Sequence, residues 1–180
     1  MKAPPAKQAK AGAGRGTSSF HRILCPTDFS RAARASFLKA VALAAQANTT
    51  LTLLHVLPPP ISRTDLCGIS EGMYRALRET EARVCRRRMD QLLAAARTRG
   101  IRAAAELAVG FPDREILHCA KLRRSGLIVI GAHGVADRKA MGSVAERVMR
   151  FATVPVLVVR DVKPVTSRVR TQRPDGRRRI

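Results

Sequence analysis

The stretch that decides the fold reads Leu127-Ile128-Val129-Ile130-Gly131-Ala132-His133-Gly134, and it is followed after seven residues by Gly142-Ser143-Val144-Ala145-Glu146. Four consecutive apolar residues predict a short buried strand, and the two glycines after it predict a loop in which the backbone passes close to other atoms. Ser143 and Glu146 have the spacing of a capping box, which predicts that a helix begins at about Ser143. A strand, a glycine loop and a helix N-terminus in this order are typical of a phosphate-binding site. A plain strand-turn-helix connection with an ordinary cap is the alternative.

Outward from this stretch, short apolar runs alternate with helical periodicities. Strands are predicted at residues 23–26, 51–56, 102–109, 127–130 and 156–159, and helices at residues 32–47, at 71–99, from Pro112 and from Ser143. On the second helix, Met73, Leu77, Val84 and Leu92 are expected to share the apolar face. Strands separated by helices need crossover connections, which make the strands parallel and place helices on both faces. The sequence therefore predicts a doubly wound α/β fold.

Sheets of this class bind ligands outside the carboxyl ends of their strands, where the strand order reverses. The first predicted strand ends at Pro26-Thr27-Asp28, and the fourth ends at Gly131. If these two strands are neighbours at the reversal, Asp28 and the glycine loop line one cleft. Asp28 has a second interpretation as the cap of the following helix, because Asp is a good N-cap residue.

Length and composition suggest one domain with two tails. The chain has 180 residues, of which 46% are hydrophobic, enough for a single core at residues 20–160. Residues 1–19 and 161–180 are basic and lack apolar periodicity, so we expect disordered tails. The sequence has no apolar run of about 18 residues and no secretory signal at its N-terminus, which predicts a cytoplasmic protein without a membrane span. The four cysteines lack a C-x-x-C pair and are expected to be reduced thiols.

The formal net charge of +21 predicts attraction to polyanions at low salt. Aromatic residues make up only 3% of the chain, so few side chains are available to stack on bases. We therefore expect nucleic acid to associate weakly and electrostatically.

Five motifs together carry a family resemblance. They are Arg22-Ile23-Leu24-Cys25-Pro26-Thr27-Asp28-Phe29-Ser30, Leu54-His55-Val56, the segment from Gly131 to Gly134, the segment from Gly142 to Arg147, and Val154-Pro155-Val156-Leu157-Val158-Val159. In this order, over about residues 20–160, the chain resembles the universal stress protein family. The resemblance implies an adenine nucleotide alpha hydrolase-like fold, with a five-stranded parallel sheet of order 3-2-1-4-5. It also implies a homodimer formed through the fifth strands, here Val156, Leu157, Val158 and Val159.

Members of this family that bind ATP carry G-x2-G-x9-G-[ST]. The glycines correspond to Gly131, Gly134 and Gly142, but only seven residues separate Gly134 from Gly142, so the loop is two residues shorter than in the family motif. The deletion either tightens the loop over the phosphates or spoils the pocket. Because every landmark residue is present, we expect ATP binding, with or without Mg²⁺.

The resemblance also implies roles for individual residues. Asp28 corresponds to the carboxylate at the nucleoside end, with Pro26 and Thr27 beside it, and Val56 to a wall of the adenine pocket. The ribose and phosphate loop corresponds to Gly131, His133 and Gly134, and the cradle at the helix start to Gly142, Ser143 and Val144. His133 has a second interpretation as a solvated loop side chain.

The sequence shows no catalytic set beside these binding residues. A Walker A motif needs Gly-Lys-Ser/Thr, whereas Lys139 here precedes Ala140 and Met141. No second carboxylate lies near Asp28 in the sequence to suggest a magnesium pair or a base for water. We therefore expect an ATP-binding stress-response regulator with slow or no hydrolysis. The alternatives are a nucleotide-free module that binds an unknown protein partner, and a basic nucleic-acid-associated protein; an enzyme acting on an activated adenylate would need catalytic groups that the sequence lacks.

Overall fold

The computed structural model describes residues 20–60, 70–133 and 141–161. Along the chain its elements are β1 (Arg22–Pro26), α1 (Arg31–Gln46), β2 (Thr50–Leu57), α2 (Glu71–Arg97), β3 (Arg102–Val109), α3 (Pro112–Leu122), β4 (Leu127–Gly131), α4 (Ser143–Phe151) and β5 (Val156–Val159). Of the two predicted tails, only Asp161 is described, and its carboxylate pairs with Arg31 at 3.0 Å. The middle of the glycine loop, residues 134–140, lies outside the described residues.

The five strands form one sheet in the order β3-β2-β1-β4-β5, and every pair of neighbours is parallel. The predicted fold class and strand order are confirmed. The chain order reverses between β1 and β4, because the strands on one side of β1 follow as β2 and β3 and those on the other side as β4 and β5. A ligand site is therefore expected where β1 and β4 end.

Two apolar clusters, one on each face of the sheet, form the core. Successive strand residues point to opposite faces, so Ile23 and Cys25 of β1 pack with α1 and α2, whereas Leu24 packs with α3 and α4. Ile23, Leu24 and Cys25 are all buried. Burial on both faces explains why the sequences of β1 and β4 are continuous apolar runs rather than alternating patterns.

The helices begin where the sequence supplies a suitable first residue. Ser30 caps α1 by accepting a hydrogen bond from the Ala33 amide at 3.1 Å, and Ser70 caps α2 by accepting one from the Met73 amide at 3.2 Å. Pro112 is the first residue of α3, a position where its missing N–H costs nothing. The predicted start at Pro112 is confirmed.

The predicted apolar face of α2 is wrong for three of its four residues, whereas Leu92 is partly buried and packs against the core. Met73, Leu77 and Val84 are 65%, 60% and 46% exposed. The buried residues of α2 are Cys85, Met89, Leu93 and Ala96. All of them lie in the C-terminal half of the helix, so the first half has no buried residue to anchor it to the sheet.

None of the helices in the part of the chain that the structure describes has both the length and the apolar character needed to cross a bilayer.

Candidate functional site

A cavity of about 540 Å³ lies at the carboxyl ends of β1, β2 and β4. Nine of the residues singled out in the sequence line it, namely Pro26, Thr27, Asp28, Val56, Gly131, His133, Gly142, Ser143 and Val144. The tenth, Gly134, lies outside the described residues. The fold thus brings together residues from four segments that are far apart in the sequence.

Nine further lining residues were not predicted. They are Ala33, Leu54, His55, Pro112, Ile116, Ile130, Ala132, Met141 and Ala145. Four of them lie inside the motifs that carry the family resemblance, namely Leu54, His55, Ala132 and Ala145, although no role was predicted for them. The other five lie outside those motifs, so their place in the cavity follows from the topology.

The turn between β1 and α1 is held by its own side chains. The Oδ1 atom of Asp28 accepts a hydrogen bond from the Ser30 amide at 2.9 Å, and the Thr27 hydroxyl accepts one from the Phe29 amide at 3.1 Å. Because Ser30 caps α1, the interpretation of Asp28 as the helix cap is wrong. Asp28 is exposed, and its Oδ2 atom has no hydrogen bond within the described residues, so it is available to a ligand hydroxyl or amine.

Phe29 occupies a strained backbone conformation in this turn. Its φ of 61° is uncommon for a bulky residue. The Phe29 ring packs against the His55 ring at 4.6 Å between centroids, and the Arg88 guanidinium of α2 lies 5.3 Å from the Phe29 centroid. His55 Nδ1 donates a hydrogen bond to the Thr27 carbonyl oxygen at 2.7 Å. Contacts from β2 and α2 therefore fix the turn that carries Asp28.

Gly131 permits a close approach between β4 and α1. A Cβ atom at this position would lie 2.8 Å from the carbonyl carbon of Ala32 and 2.9 Å from the amide nitrogen of Ala33. The close contact expected at this glycine therefore exists, but its partner is the backbone of the protein itself. As a result, the first turn of α1 reaches the cavity.

The base of the shortened loop is closed by the backbone. The Gly142 amide donates a hydrogen bond to the Ala132 carbonyl oxygen at 2.8 Å. This bond joins the two sides of the loop directly beside the cavity. In the described residues, the two-residue deletion is thus compatible with an open cavity.

The predicted capping box at Ser143 and Glu146 does not form. Gly142 is the N-cap of α4, Ser143 is its first helical residue, and no side chain caps this end. A capping box needs the serine one position earlier, at the N-cap. The first amides of α4 therefore lack both intrahelical and side-chain acceptors, and they border the cavity together with the exposed Ser143.

Three helix N-termini surround the cavity. Ala33 of α1, Pro112 of α3 and Ser143 of α4 all line it. Each N-terminus carries a partial positive charge of roughly half an elementary charge. Among the described lining residues there is no lysine or arginine, so an anion would depend on these helix ends. The first turn of α3 holds Asp113 and Glu115 and that of α4 holds Glu146, whereas that of α1 has no acidic residue.

The titratable groups near the cavity that the structure describes are few. Asp28 is the only carboxylate among the described lining residues. Burial raises the pKa of the neighbouring Cys25 thiol to about 12, which keeps it protonated and a poor nucleophile at neutral pH. Across residues 20–60, 70–133 and 141–161, no group of three His, Cys, Asp or Glu side chains is placed to hold a metal ion.

Comparison with known proteins agrees with this architecture. The sequence model of the Universal stress protein family matches residues 19–160. Universal stress protein YxiE of Bacillus subtilis is 30% identical over 147 residues, covering 78% of this chain and 99% of that protein. Universal stress protein UspA from Lactobacillus plantarum, a solved structure, superposes with a TM-score of 0.69 at 31% identity, covering 77% of this chain and 97% of that one.

Solved structures with lower sequence identity also share the fold. The structure of MJ0577, a universal stress protein of Methanocaldococcus jannaschii, has a TM-score of 0.70 at 26% identity, covering 81% of this chain and 99% of that one. A universal stress protein in complex with cAMP has a TM-score of 0.53 at 23% identity, covering 79% and 98% of the two chains. One from Archaeoglobus fulgidus in complex with dAMP has a TM-score of 0.52 at 20% identity, covering 77% and 95%.

The matched residues, 19–160, include the whole sheet and the described lining of the cavity. The parallel order β3-β2-β1-β4-β5 and the five motifs belong to the same segment. This chain is a member of the universal stress protein family.

Proposed function

We propose that the protein binds ATP in the cavity at the ends of β1 and β4 and acts as a nucleotide-responsive regulator in the cytoplasm. The observation that carries the proposal is the division of this cavity into an apolar side and a helix N-terminus. A volume of about 540 Å³ lies within the range of small-molecule sites, roughly 300–1,000 Å³.

The apolar side suits a purine ring. Leu54 and Ile130 are buried, and Val56 and Met141 are partly buried beside them. Asp28 borders the same cavity and offers its free carboxylate oxygen to a ribose hydroxyl or an adenine amine. These groups give the cavity one end that favours a flat apolar ring and one acceptor that orients it.

The helix side suits phosphate. The uncapped amides of α4 and the Ser143 hydroxyl can donate to anionic oxygens, and the positive end of α1 adds to the potential there. Two proteins of the same fold hold cAMP and dAMP, so the fold accommodates adenine nucleotides. Both ligands carry a single phosphate group. Binding of a triphosphate is the further property that we propose for this chain.

The expected chemistry is binding with slow or no hydrolysis. Within the described part of the cavity, Asp28 is the only carboxylate and its Oδ1 atom already accepts a hydrogen bond from the Ser30 amide. The described lining residues include no second carboxylate to orient water and no lysine to contact the phosphates. Bound nucleotide would therefore persist long enough to act as a signal.

Calorimetric titration of nucleotide-free protein with ATP, ADP and AMP, with and without Mg²⁺, tests the proposal. We expect ATP to bind most tightly, and we expect Gly142→Glu to weaken ATP binding at least tenfold, because its carboxylate enters the phosphate end. Gly72→Glu is the matched control, since it adds the same charge on exposed α2, where an added Cβ meets nothing within 4 Å.

Absence of ATP binding by the unmodified protein would contradict the proposal and favour the nucleotide-free interaction module. Equal affinities for ATP and AMP would contradict its triphosphate part. Equal weakening by Gly142→Glu and Gly72→Glu would show that ATP responds to overall charge rather than to this cavity.

A further inference from the structure

A second cavity, of about 810 Å³, opens at the opposite end of the strands, where β1, β2 and β3 begin. Five arginines line it, namely Arg22, Arg97, Arg102, Arg123 and Arg124, and no acidic residue is among its described lining. We call it the arginine cavity. Because β2 has eight residues, it lies roughly 25 Å from the candidate nucleotide site.

The strand register places two of these arginines on the same face of the sheet, with one strand between them. Arg22, Thr50 and Arg102 are paired across β1, β2 and β3. Paired residues of parallel strands point to the same face, and neighbouring strands are about 4.8 Å apart. The Cα atoms of Arg22 and Arg102 are thus roughly 10 Å apart on either side of Thr50.

Two guanidinium groups are oriented without being neutralised. Arg22 Nη1 donates to the Arg123 carbonyl oxygen at 2.9 Å, and Arg97 Nη2 donates to the Ala103 carbonyl oxygen at 3.3 Å. A carbonyl oxygen is a neutral acceptor, so these bonds fix the side chains while leaving their full positive charge.

The positive charge of the arginine cavity greatly exceeds what the helix ends there require. Arg123 pairs with Glu106 at 2.9 Å, and the other four arginines have no acidic partner among residues 20–60, 70–133 and 141–161. The C-termini of α1, α2 and α3 reach this end of the sheet, and each carries a partial negative charge of roughly half an elementary charge. Together they offset about 1.5 of the four positive charges, so compensation of helix dipoles does not account for the cluster.

Arg124 lies beside the arginine cavity in the turn that follows α3. Arg124 has a φ of 50°, a left-handed conformation that arginine rarely adopts. Asn48, in the turn after α1, and Gly100, in the turn after α2, also have positive φ values, and both residue types tolerate this conformation. The Arg124 amide donates to the Lys121 carbonyl oxygen and the Ser125 amide to the Ala120 carbonyl oxygen, bonds that end α3 in this conformation and leave the Arg124 side chain without a hydrogen bond or ion pair to any residue described.

We propose that the arginine cavity binds a small anion that carries two or more phosphate groups. Arginine forks match phosphate oxygens in pairs, and several forks around one concavity favour several phosphates. We favour a small ligand over nucleic acid, because no aromatic side chain is among the described lining residues of this open depression to stack on bases. The inference is independent of ATP binding at the other end of the strands.

Inorganic pyrophosphate is the probe, titrated at 150 mM salt into ¹⁵N-labelled full-length protein. We expect the largest amide shifts at Gly100, Arg102 and Arg124. Arg102→Gln/Arg124→Gln is expected to weaken pyrophosphate binding at least tenfold. The matched control is Arg86→Gln/Arg87→Gln, which removes two exposed charges from α2 and is expected to change the affinity less than twofold.

Three results would overturn the proposal. Shifts confined to Gly131, Gly142 and their neighbours would assign pyrophosphate to the nucleotide site instead. Equal weakening by the two double variants would show a diffuse response to net charge. Binding of a 12-base-pair DNA duplex to the same amides, without binding of pyrophosphate, would assign the cavity to nucleic acid. Gly142→Glu is expected to retain pyrophosphate binding here, so the failure of ATP binding and the failure of this proposal are distinguishable.

Discussion

Gly131 shows how a single residue serves both the fold and the site. An added Cβ would lie within 3.0 Å of three backbone atoms of Ala32 and Ala33, and backbone cannot move aside as a flexible side chain can. We expect Gly131→Ala to lower the free energy of unfolding by about 1–3 kcal/mol, the usual cost of overpacking. Urea denaturation followed by circular dichroism measures this change.

Gly72→Ala is the control for that substitution. Gly72 lies near the start of α2, where an added Cβ meets no atom within 4 Å, and alanine favours helix more than glycine does. Its stability should be equal to or slightly above that of the unmodified protein. A Gly131→Ala variant as stable as Gly72→Ala would show that α1 can shift away from β4 at little cost.

Residue roles were only partly predictable from the sequence. Gly131 is marked by its place after an apolar run, and Asp28 by its place after β1. The strained φ of Phe29 and the hydrogen bond from His55 to the Thr27 carbonyl have no sequence signature, because both depend on contacts between β1, β2 and α2. Sequence patterns thus identify the positions that line the cavity better than the interactions that hold them.

At the scale of elements, α4 shows how a local signal competes with a tertiary bond. The S-x-x-E spacing predicted the helix start correctly at Ser143 but assigned it the wrong cap. The Gly142 amide is bonded to the Ala132 carbonyl oxygen, which fixes Gly142 as the last extended residue before the helix. Similarly, the periodicity of α2 predicted a helix but not which half packs on the sheet, since periodicity carries no information about where the sheet ends.

The missing side-chain cap of α4 permits a test in which stability and binding change differently. Gly142→Asn should raise the free energy of unfolding by a few tenths of a kcal/mol, because asparagine caps a helix better than glycine. Gly142→Asp should stabilise the helix similarly but weaken ATP binding at least tenfold relative to Gly142→Asn, since its carboxylate repels phosphate. Denaturation and calorimetry on both variants measure the two effects. Equal ATP affinities of the two variants would mean that phosphate does not lie at the start of α4.

For the whole molecule, the periodicity of the sequence does not by itself determine the order of the strands. Apolar runs and helical segments predicted a doubly wound sheet, but many strand orders satisfy that description. The order 3-2-1-4-5 came from the family resemblance, and the observed pairing of β1 with both β2 and β4 confirms it. That order places β5 at one edge of the sheet.

The homodimer through β5 stays a prediction, and the backbone of β5 makes it testable. The Pro155 and Val159 carbonyl oxygens accept hydrogen bonds from Ile128 and Ala132 on the β4 side. Alternate residues of a parallel strand bond to opposite neighbours, so the amides of Val156 and Val158 point away from β4. Within the described residues no strand pairs with this side of β5, and an apolar edge of this kind favours pairing with a second copy.

Val158→Pro removes one outward-facing amide without removing an amide bonded to β4. We expect the unmodified protein to sediment as a dimer at micromolar concentration and the Val158→Pro protein to dissociate at least tenfold more readily, because a proline nitrogen cannot donate across the interface. Circular dichroism should show the same helix content in both proteins if the sheet is intact. A monomeric unmodified protein would contradict the dimer, and a variant that stays fully dimeric would place the interface away from the β5 edge.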